Sequence, residues 1–422
     1  MNGILKGLKR KRQLSLLLAA VLMSSGTIVA TSGSLASATA VRFTGTITVG
    51  DVAPFTGSTA ASGIDGLAGA KIAIAAINKA GGVTIKKGKK VLHYKLAVKT
   101  LNETGVATDA INGLRSFASS GIKLQMGYAL TGDCAAVGPV AQQLGVLTLA
   151  TCTGDQFRSA SAFPNWYSIS TDNQDQTTAL TDLMVKLNPT EIDALAYDYA
   201  QGHASWGLIT AKATDAGLKY TSPIVDFVPT SATDFSTQVS SMASSLSSDS
   251  TGRVLALLTY GSGNTLFIKA AQQYGITSLF QGIYTTGEWA LAAYAMDGAA
   301  PLVWNSYDYC NWQAWNNPTN KSFVKAYLKA TGSYPIDWSE QGYTEIQTIA
   351  QAITAANSYS APAVMKAMKK MTVKGTPIGN FTFNPSTHEA NVYLTSCQTE
   401  GSSSAPGGVK LVQSFKTSVS GS

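Results

Sequence analysis

Along this chain, short apolar runs bounded by glycine and proline alternate with longer stretches whose apolar positions recur at helical spacing. The run TITVGDVAP (46–54) reads as a strand. Over 63–79, Ile64, Leu67, Ile74 and Ile77 fall near helical spacing, and Gly81 and Gly82 close that helix. Strands at 92–99, 123–127 and 146–151 then alternate with helices at 107–119 and 136–144. A second run of the same alternation begins near Ile192, with strands at IDALAYDY, 223–228, 254–260 and 279–284 and helices at 207–216, 234–246 and 264–274. Between the two runs, WYSISTDNQDQ (166–176) carries no strong pattern and reads as a crossing segment. Beyond them come the strand-like PLVWNSYDY (301–309), helices at 320–330 and 340–356, and the strand-like YLTSC. Strand–helix alternation predicts an α/β fold with parallel sheets covered on both faces, and two consecutive runs predict two lobes.

In open parallel sheets, ligands bind beyond the carboxyl ends of the strands, where helix N-termini direct amide hydrogens outward. Four segments fall there: PFTGSTAASG (54–63), GYALTGDC (127–134), ATCTGD (150–155) and TYGSGN (259–264). All four are small, hydroxylated or glycine-rich. One such loop is ordinary, but four in equivalent places mark a candidate cleft for a small polar ligand.

Charge changes the picture only at the N-terminus. The 422-residue chain carries a formal net charge of +7, yet five of its basic residues lie within the first 40, a segment without any acid. The remainder is close to neutral, which removes any argument for nucleic acid as a partner. The early cluster Lys6, Lys9, Arg10, Lys11, Arg12 precedes LSLLLAAVLM and a small-residue stretch, the order of a secretory signal peptide, so 1–40 is expected to be a leader. No cysteine follows the leader to carry a lipid, and no later run reads as a membrane span. The mature protein is expected in the periplasm or outside the cell. Four cysteines in an exported chain favour two disulfides. Cys134 and Cys152 flank one predicted helix and are expected to pair, leaving Cys310 with Cys397.

Enzyme chemistry has little support. The chain has no G-x-S-x-G elbow, GVTIKKGKK (82–90) lacks the spacing of a phosphate loop, and its three histidines are far apart. No cofactor and no metal are expected. The lysines of 82–90 read as a solvated hairpin.

Together these segments resemble the type I periplasmic solute-binding proteins of the branched-chain amino acid (leucine/isoleucine/valine) class. PFTGSTAASGIDGLAGAKIAIAAINKAGG (54–82) is similar to that family's opening strand, turn and first helix. GYALTGDCAAVGPVAQQLGV, DFSTQVSSM and TYGSGNTLFIKAAQQYGI resemble later parts, so the likeness covers nearly all of the mature chain. It implies two doubly wound parallel-sheet lobes joined by three crossover strands and closing like a hinge on one solute. One lobe would take 41–170 plus 308–390, the other 171–307 plus 391–422. The captured solute would pass to an ABC permease driven by an ATPase, with the binding protein itself a monomer.

Residue by residue, the resemblance places Thr131 and Gly132 where the family grips a ligand carboxylate, with Cys152 and Thr153 completing that grip. Thr56 and Ser62 lie in the opening turn, Trp206 in an aromatic–glycine pair, and Tyr260 where an aromatic lines the cleft. One departure stands out: the family's ammonium-holding acid aligns with Tyr284, and Glu288 lies four residues later. Ser62 also replaces a bulkier side chain. The expected solute is therefore an amino acid, amide or small carboxylate, with leucine itself bound weakly. Thr131 and Thr153 equally suit turn or helix-cap roles, and Trp206 suits a core. A sensory protein of the same fold, signalling occupancy to a partner, is the alternative function, and an exported hydrolase is a third.

Overall fold

A computed structural model describes residues 41–57, 59–248, 250–260, 262–285, 304–306, 318–399 and 409–416. The expected leader, the loop with Glu288, and Cys310 lie outside the described residues, as does the side chain of Cys397.

The first lobe is a six-stranded sheet in the order β2-β3-β1-β4-β5-β6. Its strands are β1 (Phe43–Pro54), β2 (Val83–Lys87), β3 (Lys90–Glu103), β4 (Leu124–Met126), β5 (Leu147–Ala150) and β6 (Trp166–Ser168). All neighbours are parallel except β2, which folds back antiparallel on β3 as the expected hairpin. Helices α1 (Ala60–Lys79), α2 (Ala107–Ser119) and α3 (Thr131–Leu144) form the crossovers. The strands bury both faces: Val49, Leu96 and Leu149 on one side, Val52, Ala150 and Trp166 on the other.

The second lobe holds a wholly parallel four-stranded sheet, β10-β9-β7-β8. It is built from β7 (Glu191–Tyr197), β8 (Tyr220–Val228), β9 (Arg253–Leu258) and β10 (Gly282–Thr285). Its helices are α4 (Asn173–Lys186), α5 (Ala200–Asp215), α6 (Ser236–Ser248) and α7 (Ser262–Gln273). The chain then returns to the first lobe through α8 (Pro318–Thr331), α9 (Asp337–Ala356) and α10 (Ala361–Met368), whose Phe323, Ile346 and Val364 enter the same core as Val49. A short antiparallel sheet of β11 (Trp304–Ser306), β14 (Tyr393–Thr399) and β15 (Val409–Lys416) completes the described elements, with the small hairpin β12 (Val373–Thr376) and β13 (Gly379–Phe381).

Three departures from the sequence expectation bear on function. The segment 166–176 is not featureless: β6 extends the first sheet, and α4 starts at Asn173, capped by the Asp172 carboxylate accepting from the Asp175 N–H at 2.6 Å. Helix α5 starts at Ala200, seven residues before the expected start at 207. Helix α1 is long and apolar enough to cross a membrane by length and composition, with a mean hydropathy of 1.4. It lies instead against α9, and its apolar side meets the first-lobe core.

That helix pair explains the small residues of 54–69. A Cβ placed on Gly69 would come within 1.8 Å of the Ser339 carbonyl oxygen, and one on Gly342 within 2.0 Å of the Gly66 oxygen. One on Gly63 would come within 2.1 Å of the Pro54 oxygen. Only glycine permits helices α1 and α9 to touch backbone to backbone and α1 to sit on the end of β1.

Candidate functional site

The carboxyl ends of both sheets face a cavity of about 240 Å³. From the first lobe, Thr59, Ser62, Thr131, Gly132 and Thr153 line it, with Trp338 and Gln341 from the start of α9. Tyr199, Gln201, Thr230, Thr259 and Tyr260 line it from the second lobe. No lysine, arginine or histidine is among the described lining residues. A carboxylate bound there would be held by N–H and O–H groups, not by a cation.

Each wall is fixed by its own local chemistry. Thr131 opens α3 but does not cap it: Leu130 is the N-cap and supplies no side-chain bond, so the first-turn amides are left for another partner. Behind that turn Cys134 is bonded to Cys152, with Cα atoms 6.6 Å apart, joining α3 to the loop after β5. Across the cavity, Tyr260 stands edge-on to Tyr197 at 4.9 Å and to Tyr199 at 5.5 Å between ring centroids. The Asn264 Nδ2 donates to Thr285 Oγ1 at 3.3 Å, while Thr259 Oγ1 donates to Asn264 Oδ1, which fixes the end of β9.

One side chain spans the cleft. Gln201, in the first turn of α5, accepts at Oε1 from the Thr131 hydroxyl at 3.0 Å and donates from Nε2 to the Thr153 hydroxyl at 2.7 Å. The missed start of α5 hid this residue from the sequence reading.

The crossings between lobes meet at Arg158. Its guanidinium donates to the carbonyls of Cys152 at 3.0 Å and Thr171 at 3.1 Å, and pairs with Glu389 at 2.5 Å. Ala390 N–H donates to the Ser168 carbonyl at 2.8 Å, so the two segments run side by side and parallel there. Burial pushes Glu389 up to about 8 against the pull of Arg158.

Two acid pairs lie behind the first-lobe wall. Asp133 lines the cavity beside Glu103, whose Oε2 accepts from Gly105 N–H at 2.7 Å. Burial, reinforced by the Glu103 charge, lifts Asp133 to about 8, so the two carboxyls hold a proton at neutral pH. Deeper in, Asp51 and Glu345 meet around Gly127. The Gly127 N–H donates to Glu345 Oε1 at 3.4 Å, and a Cβ on Gly127 would lie 2.1 Å from Asp51 Oδ1. Burial raises Asp51 to about 7 and Glu345 well above its ordinary value.

The structure brings together Thr131, Gly132, Thr153, Ser62 and Tyr260 from the residues expected at the site. Others it places elsewhere. Tyr284 is fully buried on the face of β10 opposite Ile283, packed with Leu180 and Ile192 in the second-lobe core, so it cannot stand in for an ammonium-holding acid. Successive strand residues point to opposite faces, and here both faces are covered. Cys152 is buried in the disulfide, and Trp206 packs on that same core with Tyr220 edge-on at 6.0 Å. Thr56 is exposed and accepts from Asn102 Nδ2 at 3.0 Å, outside the cavity. Glu288 and the Cys310–Cys397 pairing lie outside the described residues.

Two lobes with strand ends facing a shared cavity define a two-lobed solute-binding protein. The profile of the periplasmic binding protein family matches residues 46–403, and the chain belongs to that family. Membership puts it among binding proteins and not enzymes, and agrees with the type I resemblance read from the sequence. It is 27% identical over 324 residues to the Leu/Ile/Val-binding protein homolog 3 of Brucella melitensis, covering 75% of this chain and 81% of the relative. In fold it is similar to a solute-binding protein of an ABC transporter from Rhodopseudomonas palustris BisB5 in complex with 3,4-dihydroxybenzoic acid. That likeness has a TM-score of 0.73 at 18% identity, over 88% of this chain and 97% of the other. The leucine-binding protein LivK of Thermotoga maritima matches with a TM-score of 0.71 at 18% identity, over 88% and 99%.

Proposed function

We propose that this protein captures one small polar solute (an amino acid, an amide or a small carboxylate) in the cleft between its lobes and delivers it to an ABC permease and ATPase. The carrying observation is the pair of hydroxyls, Thr131 and Thr153, set beside the uncapped start of α3 and facing Tyr199 and Tyr260 across the cavity. A carboxylate or amide oxygen held there gains hydrogen bonds from O–H and first-turn N–H groups, aided by the helix dipole. The tyrosines supply flat apolar walls with polar tips. The protein acts as an exported, soluble monomer, its leader removed.

Native mass spectrometry of the purified protein identifies the solute it carries, and calorimetry then measures its affinity. Thr131→Ala and Tyr260→Ala should each weaken binding about tenfold, the worth of one good hydrogen bond or aromatic contact, with the fold retained. Unchanged affinity in both variants would overturn the assignment of the site. With Tyr284 in the core, leucine should bind weakly or not at all, and micromolar leucine affinity would refute that specificity.

A further inference from the structure

We propose that Gln201 is an internal competitor for the solute: its carboxamide occupies, from the second lobe, the two hydroxyls that would hold the solute's carboxylate or amide. This rests on Thr131 and Thr153 being the solute's grip. A carboxamide presents two polar atoms in one plane at the spacing of a carboxylate. Gln201 uses both, accepting from Thr131 at 3.0 Å and donating to Thr153 at 2.7 Å. Both hydroxyls belong to the first lobe and the glutamine to the second, so this pair of bonds ties the lobes together with the protein's own side chain.

The latch is positioned, not accidental. The residue after it, Gly202, is buried, and a Cβ there would lie 2.3 Å from the Tyr197 carbonyl oxygen, so the first turn of α5 sits hard against the end of β7. One turn on, Ser205 Oγ donates to Asn173 Oδ1 at 2.9 Å and accepts from Thr177 Oγ1 at 3.0 Å. Asn173 N–H in turn donates to the Thr153 carbonyl at 2.7 Å. A continuous run of hydrogen bonds therefore sets the distance between Thr153 and the helix that carries Gln201.

A solute must break both bonds before it can use the hydroxyls, so its apparent affinity is lowered by the fraction of molecules in which Gln201 has swung away. The same side chain screens solutes: a group too weakly polar to replace two hydrogen bonds is refused.

The test compares the wild-type chain with Gln201→Ala, Gln201→Glu and Thr131→Ala. Ligand-free protein is measured by small-angle X-ray scattering, and binding of 4-hydroxybenzoate and of L-leucine by calorimetry. Gln201→Ala should scatter as a more extended particle than wild type without ligand. It should also bind a carboxylate probe about tenfold tighter, because the competing conformation is gone. Gln201→Glu, which still accepts from the hydroxyls but sets a negative charge beside the probe, should bind it more weakly than wild type. Thr131→Ala should also open the ligand-free form, but with loss of probe affinity. That opposite sign separates the two readings: unchanged probe affinity in Thr131→Ala sinks the grip, while Gln201→Ala that neither opens nor tightens sinks the competitor. Weaker probe binding in Gln201→Ala also overturns the proposal, since it would make Gln201 a solute contact. If neither probe binds the wild-type chain, the scattering alone decides.

Discussion

Apart from Glu389, which pairs with Arg158 beside the crossing, the two lobes bury negative charge by opposite means. In the second, Asp193 is met by the Arg253 guanidinium, whose Nε donates to Oδ2 at 2.9 Å and whose Nη1 reaches Ser245 Oγ at 3.2 Å. Asp193 is 2% exposed and Arg253 5%, so this is a core ion pair with a forked geometry. In the first lobe, Asp51 with Glu345 and Glu103 with Asp133 are as deeply buried, and none forms an ion pair among the described residues. Burial there raises the carboxyls toward the protonated form.

The largest expected effect comes from making the second lobe resemble the first. Arg253→Met strands the Asp193 carboxylate, and breaking one side of a buried pair costs about 3–5 kcal/mol. Denaturant unfolding at pH 7 should show that loss. If Arg253→Met is tolerated with a change under about 1 kcal/mol, the contrast between the lobes is wrong.

Next comes the covalent difference. Cys134 and Cys152 staple the first-lobe wall across a separation of 18 residues. Replacing both with alanine should lower stability by about 3 kcal/mol on the loop-entropy account. Hydrogen exchange should locate the new opening at the start of α3 and in the loop after β5, not in the second lobe.

A smaller and sign-reversed effect follows from the protons. The folded values of Asp51, Asp133 and Glu389 stand at about 7, 8 and 8, above the ordinary carboxylate values of 3.8 to 4.5 expected once unfolded. The folded chain therefore holds more protons than the unfolded one between about pH 4 and 8, so stability is greatest at the acid side of that window and falls as pH rises through it. The melting temperature should be higher at pH 5.5 than at pH 8.5. Asp51→Asn removes one titrating group while keeping its shape, and should flatten that slope and raise stability at pH 8 by about 1–3 kcal/mol. A melting temperature that climbs from pH 5.5 to pH 8.5 would contradict the assignment.

The same contrast governs what was legible in the sequence. Long periodic segments announced themselves: Ile64, Leu67, Ile74 and Ile77 lie on α1, and the strands of both sheets other than β2 and β6 fall within a few residues of where their apolar runs predict. The first-lobe segments that line the cavity stood out as well, since GYALTGDC and ATCTGD follow strand ends and carry Thr131 and Thr153, although Thr56 falls outside the cavity. The second-lobe half was obscured. The first turn of α5, AQGH, offers no apolar periodicity, so the pattern predicts a helix only from 207 and leaves Gln201 in a loop. The resemblance aligns Tyr284 with a cleft position, but a strand covered on both faces sends alternate residues into two cores. Buried acids give no sign in one dimension, since Asp51 and Glu345 come together only when α9 returns from beyond the second lobe.

The glycine contacts between α1 and α9 have a practical corollary for anyone retuning this receptor as a biosensor. Trp338 and Gln341 ride on α9, which meets α1 at Gly69 and Gly342 with no room for a methyl group. Mutational libraries should spare those glycines and spend their diversity on Tyr199, Thr230 and Tyr260, where new chemistry can be introduced without unseating the opposite jaw.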